Sequence, residues 1–293
     1  MKKIIIKLAL LALCISIATT EAKRKKKPRY KPYAMTANLA TDVASAISAT
    51  KTKLIENGFN LVGEYSPYEN TVVMVVTNED LLKAASSTEF GGYGAVVRVA
   101  VTKTDSGIQV SYVNPVYMSF VYQMESLKSV VASLEVALGT VEFFGSERGL
   151  TERSLKGYQY MMMMPEFEDH DEIGSFDSHS KALETVNQHL ASGSLPLTKV
   201  FEIKIPGKDE VLIGVGIREG DGADTLIMKT IDVEEKKHSA HLPYAILISA
   251  DKVYSQAGKF RIALAFPDLG MGQFMDISDA PDGIKESLSA LTK

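Results

Sequence analysis

The hydrophobic and polar positions along the chain follow two periods, one typical of helices and one typical of strands. In LATDVASAISATKTKLIEN, residues 39–57, apolar side chains recur on one helical stripe, and Gly58 is expected to end this helix. FNLVGEY and NTVVMVVT predict two strands, EDLLKAASS a short helix, and GAVVRVAV and IQVSYVNP two more strands. MESLKSVVASLEVALG predicts a closing helix.

The same order of elements returns in the second half. SHSKALETVNQHLASG predicts a helix, LTKVFEIKI and DEVLIGVGI two strands, YAILISADKVYSQAGKFRIALAFPD a strand, a turn and a strand, and DGIKESLSALTK a final helix. When the halves are aligned, Gly107 falls opposite Gly258. After one inserted residue, Pro115 falls opposite Pro267. The alternation of residues 108–113 is then matched by residues 260–265, which predicts an internal duplication.

This order of elements predicts the fold class. Strands joined by short turns and flanked by helices form antiparallel sheets with helices on one face. We therefore predict an α+β fold with two tandem helix-on-antiparallel-sheet units, residues 36–140 and 176–293, joined by a connecting segment, residues 141–175. The uncovered faces of the two sheets are expected to pair about a pseudo-two-fold axis, as in a fused dimer.

One stretch carries a resemblance to a known family. NEDLLKAASSTEFGGYGAVVRVAVTKTDSGIQVSYVNPVYM resembles the tail of the bacterial "domain of unknown function 302" family, which has a short helix, a strand, an acidic-glycine turn and then VSYxxPxY. The second copy, HLPYAILISADKVYSQAGKFRIALAFPDLGM, is similar but has phenylalanine before Pro267 and lacks VSY. The resemblance covers the core of both halves and leaves out the middle segment. It implies an α+β fold with a tendency to pair, and it brings no catalytic residues.

The N-terminal composition indicates export. Three lysines flank an apolar run over residues 4–18, and small residues suited to cleavage follow at Ala18 and Ala22. This pattern is typical of a secretory signal peptide, residues 1–22, because the run is shorter than the roughly 20 residues that span a bilayer. We expect a periplasmic or extracellular protein. The single cysteine, Cys14, leaves with the signal, so the mature chain has no disulfide and no thiolate site.

Charge limits the partners of the mature chain. Without the signal peptide, 29 basic and 35 acidic residues remain, a net charge of −6. This balance argues against nucleic-acid binding, which needs a basic face. The exception is KRKKKPRYKPY, residues 23–33, with seven basic residues. We interpret residues 23–35 as a flexible spacer, because like charges repel one another and prolines resist packing. The alternative is peripheral contact with an anionic membrane surface through residues 23–33.

Two arginines are the first candidates for a binding site. No G-x-S-x-G or H-E-x-x-H motif occurs, and we expect no cofactor. Arg98 and Arg261 each interrupt an apolar run that is predicted to be a strand. A guanidinium there pairs with a carboxylate across an interface or binds an anionic ligand. The candidate ligand-binding set is Arg98, Tyr112, His241, Tyr244 and Arg261.

The run MMMM, residues 161–164, raises a metal alternative. Thioether sulfur suits cuprous ion, and imidazole is a common copper ligand. The alternative copper set is Met161, Met163, His170 and His238. We favour packing in the core for the methionines, because methionine fills irregular apolar gaps. EFEDHDE, residues 166–172, is predicted to be a solvated turn, and the two histidines of HSAH, residues 238–241, are predicted to lie exposed in a loop.

The sequence therefore favours a binding protein over an enzyme. A small molecule, lipid or protein is expected at the cleft between the units, with monomer and homodimer both open. The first alternative is a periplasmic copper-handling protein that uses methionine and histidine. The second is a hydrolase or isomerase that uses histidine and a carboxylate. Such an enzyme needs a positioned acid–base pair, which the sequence does not reveal.

Overall fold

The computed structural model describes residues 27–37 and 40–293, so the predicted signal peptide lies outside the described residues. Within these ranges the strands form a six-stranded, a five-stranded and a two-stranded sheet, and all neighbouring strands are antiparallel. Helices accompany both large sheets. The predicted α+β class is confirmed. No helix in the described part of the chain is long and apolar enough to cross a membrane.

The first unit is built on the six-stranded sheet, in the order β3–β4–β5–β6–β2–β7. Its elements are β1 (Arg29–Tyr30), β2 (Tyr33–Thr36), α1 (Val43–Glu56), β3 (Asn60–Tyr65), β4 (Thr71–Thr77), α2 (Glu79–Ser86), a 3-10 turn (Gly91–Gly94), β5 (Val97–Thr104), β6 (Gly107–Val113), α3 (Pro115–Val121), α4 (Lys128–Leu138) and β7 (Thr140–Phe144). A connecting segment follows, with β8 (Leu150–Thr151) paired to β1, and α5 (Glu152–Lys156).

The second unit is built on the five-stranded sheet, in the order β10–β11–β12–β13–β9. Its elements are β9 (His170–Ser175), α6 (His179–Ser192), β10 (Leu197–Lys204), β11 (Glu210–Ile217), α7 (Asp224–Ile231), a 3-10 turn (Ser239–His241), β12 (Tyr244–Ser249), β13 (Lys252–Gln256), α8 (Gly258–Ala265), α9 (Met271–Asp276), α10 (Ala280–Ser289) and a 3-10 turn (Ala290–Thr292).

Residues with short polar side chains cap the N-termini of α2, α3 and α6. The Asn78 side chain accepts the Leu81 N–H at 2.9 Å at the start of α2, and Ser178 accepts the Lys181 N–H at 3.2 Å at the start of α6. Asn114 caps α3, and Pro115 occupies its first turn, where no intrahelical donor is needed. These caps satisfy backbone donors that a helix leaves free at its N-terminus.

The two units share one order of elements. From β2 to α3 and from β9 to α8 the chain runs strand, helix, two strands, helix, 3-10 turn, two strands, helix. In both large sheets the first strand of this series lies beside the last one. The residue register that we predicted is wrong, because Pro115 begins α3 whereas Pro267 follows α8. Residues 260–265 belong to a helix, so they do not correspond to the strand residues 108–113. An origin by duplication stays a prediction.

The structure corrects the predicted boundaries. Residues 141–144 belong to β7, which pairs with β2 in the first sheet, and β9 extends the second unit back to residue 170. The connecting segment is therefore residues 145–169. The flexible-spacer prediction is wrong for residues 29–35, because Tyr33 is buried in β2 and the Asn114 side chain donates to the Lys31 carbonyl at 2.9 Å. Burial of tyrosine and alanine in β2 outweighs the basic composition.

The methionine run lies on the surface, so the core prediction is wrong for its first three residues. Met161, Met162 and Met163 are 44%, 86% and 91% exposed. The run forms a tight turn in which Met163 has a φ of 71°. Only Met164 packs against the core. The predicted solvated turn is also wrong in part, because Phe167 is buried and residues 170–172 form the start of β9.

Exposure of the methionines predicts a small mutational effect. Met162→Ala is expected to change the free energy of unfolding by less than about 0.5 kcal/mol, as for other surface substitutions. Met74→Ala is the matched control, because Met74 is fully buried in β4 and its truncation is expected to cost about 3 kcal/mol. Urea denaturation of both variants measures the difference. Equal losses would place Met162 in the core after all.

The two units pack against each other reciprocally. In the second unit, the 3-10 turn Ser239–His241 contacts β4, β5 and β6. In the first unit, the 3-10 turn Gly91–Gly94 contacts β11 and β12. The edge strands β3 and β10 also touch. Thr102 on β5 donates a hydrogen bond to Ser239 at 2.9 Å, which shows that the sheet face carrying Thr102 meets the second unit. Polar side chains are thus buried between the units.

Candidate functional site

Four of the five predicted ligand-binding residues meet between the units. Arg261 donates to Nδ1 of His241 at 2.7 Å and also to the His241 carbonyl. Nε2 of His241 lies 3.2 Å from the Tyr244 hydroxyl. Arg98 lies on the face of β5 that also carries Thr102, and β5 packs against the 3-10 turn that contains His241. We call Arg98, His241, Tyr244 and Arg261 the buried polar cluster.

Three details of the prediction are corrected. Arg261 lies on helix α8 and not on a strand. Tyr112 lies apart from the cluster, because it pairs with Val99 on the opposite face of β5 and its hydroxyl is 2.6 Å from that of Thr140. His238 and His241 are buried and not exposed in a loop. The apolar packing of the 3-10 turn against the first sheet buries both histidines.

Burial sets the charge states inside the cluster. Burial first, and then the positive charge of Arg261, hold the pKa of His241 well below its usual range, so the imidazole is neutral. Because Nδ1 accepts a hydrogen bond from the Arg261 guanidinium, the neutral ring carries its own proton on Nε2. Burial also raises the pKa of Tyr244 above its ordinary value, so its hydroxyl stays neutral.

Asp224, at the start of α7, faces the same interface. One carboxyl oxygen accepts the Ile217 N–H at 3.1 Å and lies 3.4 Å from the Tyr65 hydroxyl. The other oxygen is buried and has no hydrogen-bond partner among the described residues. Burial raises the pKa of Asp224 from 3.8 to about 8. Asp224 is therefore protonated at neutral pH and does not neutralise a nearby cation.

The raised pKa of Asp224 predicts how stability depends on pH. Between pH 3.8 and about 8 the folded state keeps a proton that the unfolded state has released. The stabilising contribution of this proton is complete below that window and is lost as pH rises through it, by up to about 1.4 kcal/mol per pH unit. Asp224→Asn cannot titrate, so its unfolding free energy should fall less steeply between about pH 5 and 7 than that of the wild type. Urea denaturation of both proteins between about pH 5 and 7 tests this prediction. If the unfolding free energy of the variant and of the wild type falls equally steeply with pH, the prediction is wrong.

A cavity of about 520 Å³ opens beside the buried polar cluster. Strand β7 and the loop after it supply one wall, and the segment after α7 and the segment after α8 supply the other walls. The ring of Phe266 separates the cavity from the cluster, because it packs against His238 at 4.7 Å and against His241 at 5.8 Å between ring centroids. The cavity therefore lies between the two units, where the sequence predicts a ligand.

A buried histidine–aspartate pair forms part of the cavity wall. Nδ1 of His238 lies 2.8 Å from Oδ1 of Asp232, and the backbone N–H of His238 donates to both carboxylate oxygens at 3.0 and 2.9 Å. Because a carboxylate oxygen accepts, Nδ1 carries a proton, and in the neutral form of the ring Nε2 then has a free lone pair. Within the described ranges Nε2 has no protein hydrogen-bond partner, and it lies beside Gly145, which lines the cavity together with His238.

Gly145 keeps the space beside His238 open. Its φ is +88°, a conformation that favours glycine. A methyl group at this position would lie 2.7 Å from the Tyr33 ring and 3.1 Å from Nε2 of His238. The turn after β7 thus brings its backbone against the imidazole without covering it.

Comparisons with known proteins add no assignment. No family model, no curated protein and no solved structure matches the chain. The resemblance to the "domain of unknown function 302" family therefore stays a prediction. Function has to be inferred from the geometry of the cavity.

The alternative copper set is not brought together. His170 stacks between Phe90 and Tyr93, whereas His238 packs against Tyr33, Phe144 and Phe266. The hydroxyl of Tyr160, the residue before the methionine run, donates to the Leu269 carbonyl and leaves Met161 and Met163 at the surface. In the described part of the chain, no three His, Cys, Asp or Glu side chains converge on one point.

Sequence reasoning missed most of the cavity wall. Asp232 stands six residues before His238 in DVEEKKH, a spacing with no characteristic motif. Phe144 and Phe266 look like ordinary core residues, and Glu142 lies in the segment that was predicted to be a connector. A histidine near several acidic residues was the only available signal.

Proposed function

We propose that the protein is an exported binding protein that holds a small organic molecule in the cavity between its two units. The observation that carries this proposal is the cavity of about 520 Å³, with walls from both units and one buried, oriented histidine at its surface. Ligand sites of about 300–1,000 Å³ with a few placed polar groups are common between domains. Export rests on the predicted signal peptide.

The walls indicate the class of ligand. Ile231, Phe144, Phe266 and Leu269 offer apolar surface. Five carboxylates outnumber two lysines, and the Lys236 ammonium is already paired with Glu142 at 2.7 Å. The free lone pair of His238 accepts a hydrogen bond. We infer a ligand with an apolar or aromatic body and a cationic or hydroxyl-bearing end.

Native mass spectrometry of the protein purified from its own compartment tests the proposal. A mass increment that is retained by the wild type and by His179→Gln, but reduced in His238→Gln, is the expected result. His179 is a suitable control because it contacts Asp209 and Ala250, away from the cavity. A thermal-shift screen of matched amines, alcohols and carboxylic acids then defines the ligand class. A preference for carboxylic acids that does not depend on His238 would overturn the proposal.

Acid–base catalysis is the second candidate, and one observation favours it. The Asp232–His238 pair has the arrangement of a general base, with Nδ1 fixed by a carboxylate and Nε2 directed to a cavity. Ser146 is not its nucleophile in the described structure, because its hydroxyl donates to Asp268 at 3.2 Å. The base would therefore act on a water molecule or on a substrate proton.

A single variant separates the two candidates. With an identified ligand, a binding protein leaves the ligand unchanged and His238→Gln weakens its affinity. An enzyme converts the ligand, and His238→Gln abolishes turnover by removing the base while the apolar walls still bind. Mass spectrometry of the ligand after incubation with the wild type distinguishes these outcomes.

A further inference from the structure

Two guanidinium groups are buried in the polar cluster. Arg98 and Arg261 are only 4% and 5% exposed. A buried charge in a protein is normally paired, because removing it from water is costly unless a partner of opposite charge offsets the loss of hydration. A partner of opposite charge is therefore expected beside these two side chains.

The two arginines come from opposite units, Arg98 from β5 and Arg261 from α8. Arg98 and Thr102 are four positions apart on β5, and an even separation places both side chains on the same face of the strand. Thr102 is bonded to Ser239 of the 3-10 turn, whose last residue, His241, binds Arg261.

No carboxylate in the described part of the chain forms a salt bridge with either arginine. Asp224 is hydrogen-bonded to the Ile217 N–H and to Tyr65, and the Asp232 carboxylate accepts from the backbone N–H and from Nδ1 of His238. Among the described residues, the Arg261 guanidinium donates only to the neutral His241, to Nδ1 and to the carbonyl. Nε of Arg98 is buried and unpartnered within the described residues. Burial and Arg261 lower the pKa of Arg98 to about 10, so the group is still charged at neutral pH.

We propose that a small monovalent anion, a halide or a carboxylate of formate size, binds beside the Arg98 guanidinium and offsets its buried charge. Nε of Arg98 supplies a free donor, and a charge-assisted hydrogen bond to an anion is stronger than a neutral one. The burial of both arginines restricts the site to small ions. Neither arginine lines the cavity, so the proposal does not depend on the ligand proposed for that cavity.

Thermal melting at fixed ionic strength and pH tests the proposal with the full mature chain. Sodium gluconate is replaced stepwise by sodium chloride or sodium formate, since gluconate is too large for a buried site. The wild type is expected to melt at rising temperature as the small anion exceeds its dissociation constant, by mass action. Identical melting in chloride, formate and gluconate would overturn the proposal. A response to only one of the two small anions identifies which chemistry the site accepts.

Two variants localise the effect. Arg98→Met is expected to weaken the anion response by at least about tenfold in apparent affinity, since it removes a charged donor. It should also melt higher than the wild type in gluconate, because it removes an unpaired buried charge. Arg218→Met is the control, because Arg218 is exposed and donates to the Leu195 carbonyl at 3.2 Å. An unchanged chloride titration in Arg98→Met would place the anion elsewhere.

If Arg98→Met does not fold, crystallography of the wild type in bromide tests whether an anion binds beside Arg98. The anomalous signal of bromide in wild-type crystals should lie within hydrogen-bond reach of Nε of Arg98. A water molecule at that position, with no anomalous signal, would show that solvent and not an anion satisfies Arg98.

Discussion

Gly63→Val is expected to lower the free energy of unfolding by about 3 kcal/mol, the upper end of the usual cost of overpacking a well-packed site. Gly63 lies on β3, where the edge strand of the first sheet meets β10 of the second. A Cβ at this position would lie 2.3 Å from the Val200 carbonyl oxygen and 2.9 Å from Cβ of Phe201. The obstacle is mostly backbone, so side-chain rotation cannot relieve it.

Whether Gly63→Val lowers or raises the free energy of unfolding shows whether steric packing or strand propensity dominates at this position. Valine suits a strand better than glycine, so propensity alone predicts a gain in stability. Gly157→Val is the control, because a Cβ there meets nothing within 4 Å and its φ is −125°. We expect it to change stability by less than about 0.5 kcal/mol.

Urea denaturation and small-angle X-ray scattering measure both consequences of Gly63→Val. One possible outcome is a single, weaker transition with an unchanged radius of gyration, which indicates local strain. Two separate transitions with a larger radius indicate that the units have come apart. Wild-type stability in Gly63→Val would show that β3 and β10 do not touch in solution.

The regular elements of the fold were predictable where periodicity was unambiguous. Helices α1, α2 and α6 follow clear apolar stripes with capping residues, and the strands from β3 to β6 follow from runs of β-branched residues. Helix α8 was mistaken for a strand. All its residues except Lys259 are buried, so the apolar run FRIALAF carries no period that distinguishes a buried helix from a buried strand.

The site was less predictable because it depends on contacts between distant segments. Arg98 and Arg261 were identifiable, since a lone guanidinium in an apolar run requires a partner. The cavity was not, because its walls come from β7 and from loops more than 80 residues away in sequence, such as the one holding His238. The burial predicted for the methionine run was wrong for its first three residues because it was based on apolar composition alone. The chain makes a turn at the surface there, and the turn leaves these side chains exposed.

Asp232→Ala is expected to cost about 3 kcal/mol, because it leaves buried hydrogen-bond donors without an acceptor. The Asp232 carboxylate accepts the His238 backbone N–H and its Nδ1, and it is itself buried. Asp105→Ala is the matched control, since Asp105 lies exposed in the turn between β5 and β6. Its effect should stay below about 0.5 kcal/mol in urea denaturation.

Asp232→Asn tests the orientation of the histidine apart from stability. An asparagine amide can still accept the backbone N–H through its oxygen, but its NH₂ group then donates to Nδ1 of His238. The imidazole proton would move to Nε2, which would face the cavity as a donor. Nitrogen-15 chemical shifts of the His238 ring report this change of tautomer, while the unfolding free energy should stay closer to that of the wild type than in Asp232→Ala. If Asp232→Ala is as stable as Asp105→Ala and the tautomer is the same in Asp232→Asn, the carboxylate does not orient His238. The cavity would then lack the fixed acceptor on which both binding and acid–base catalysis depend.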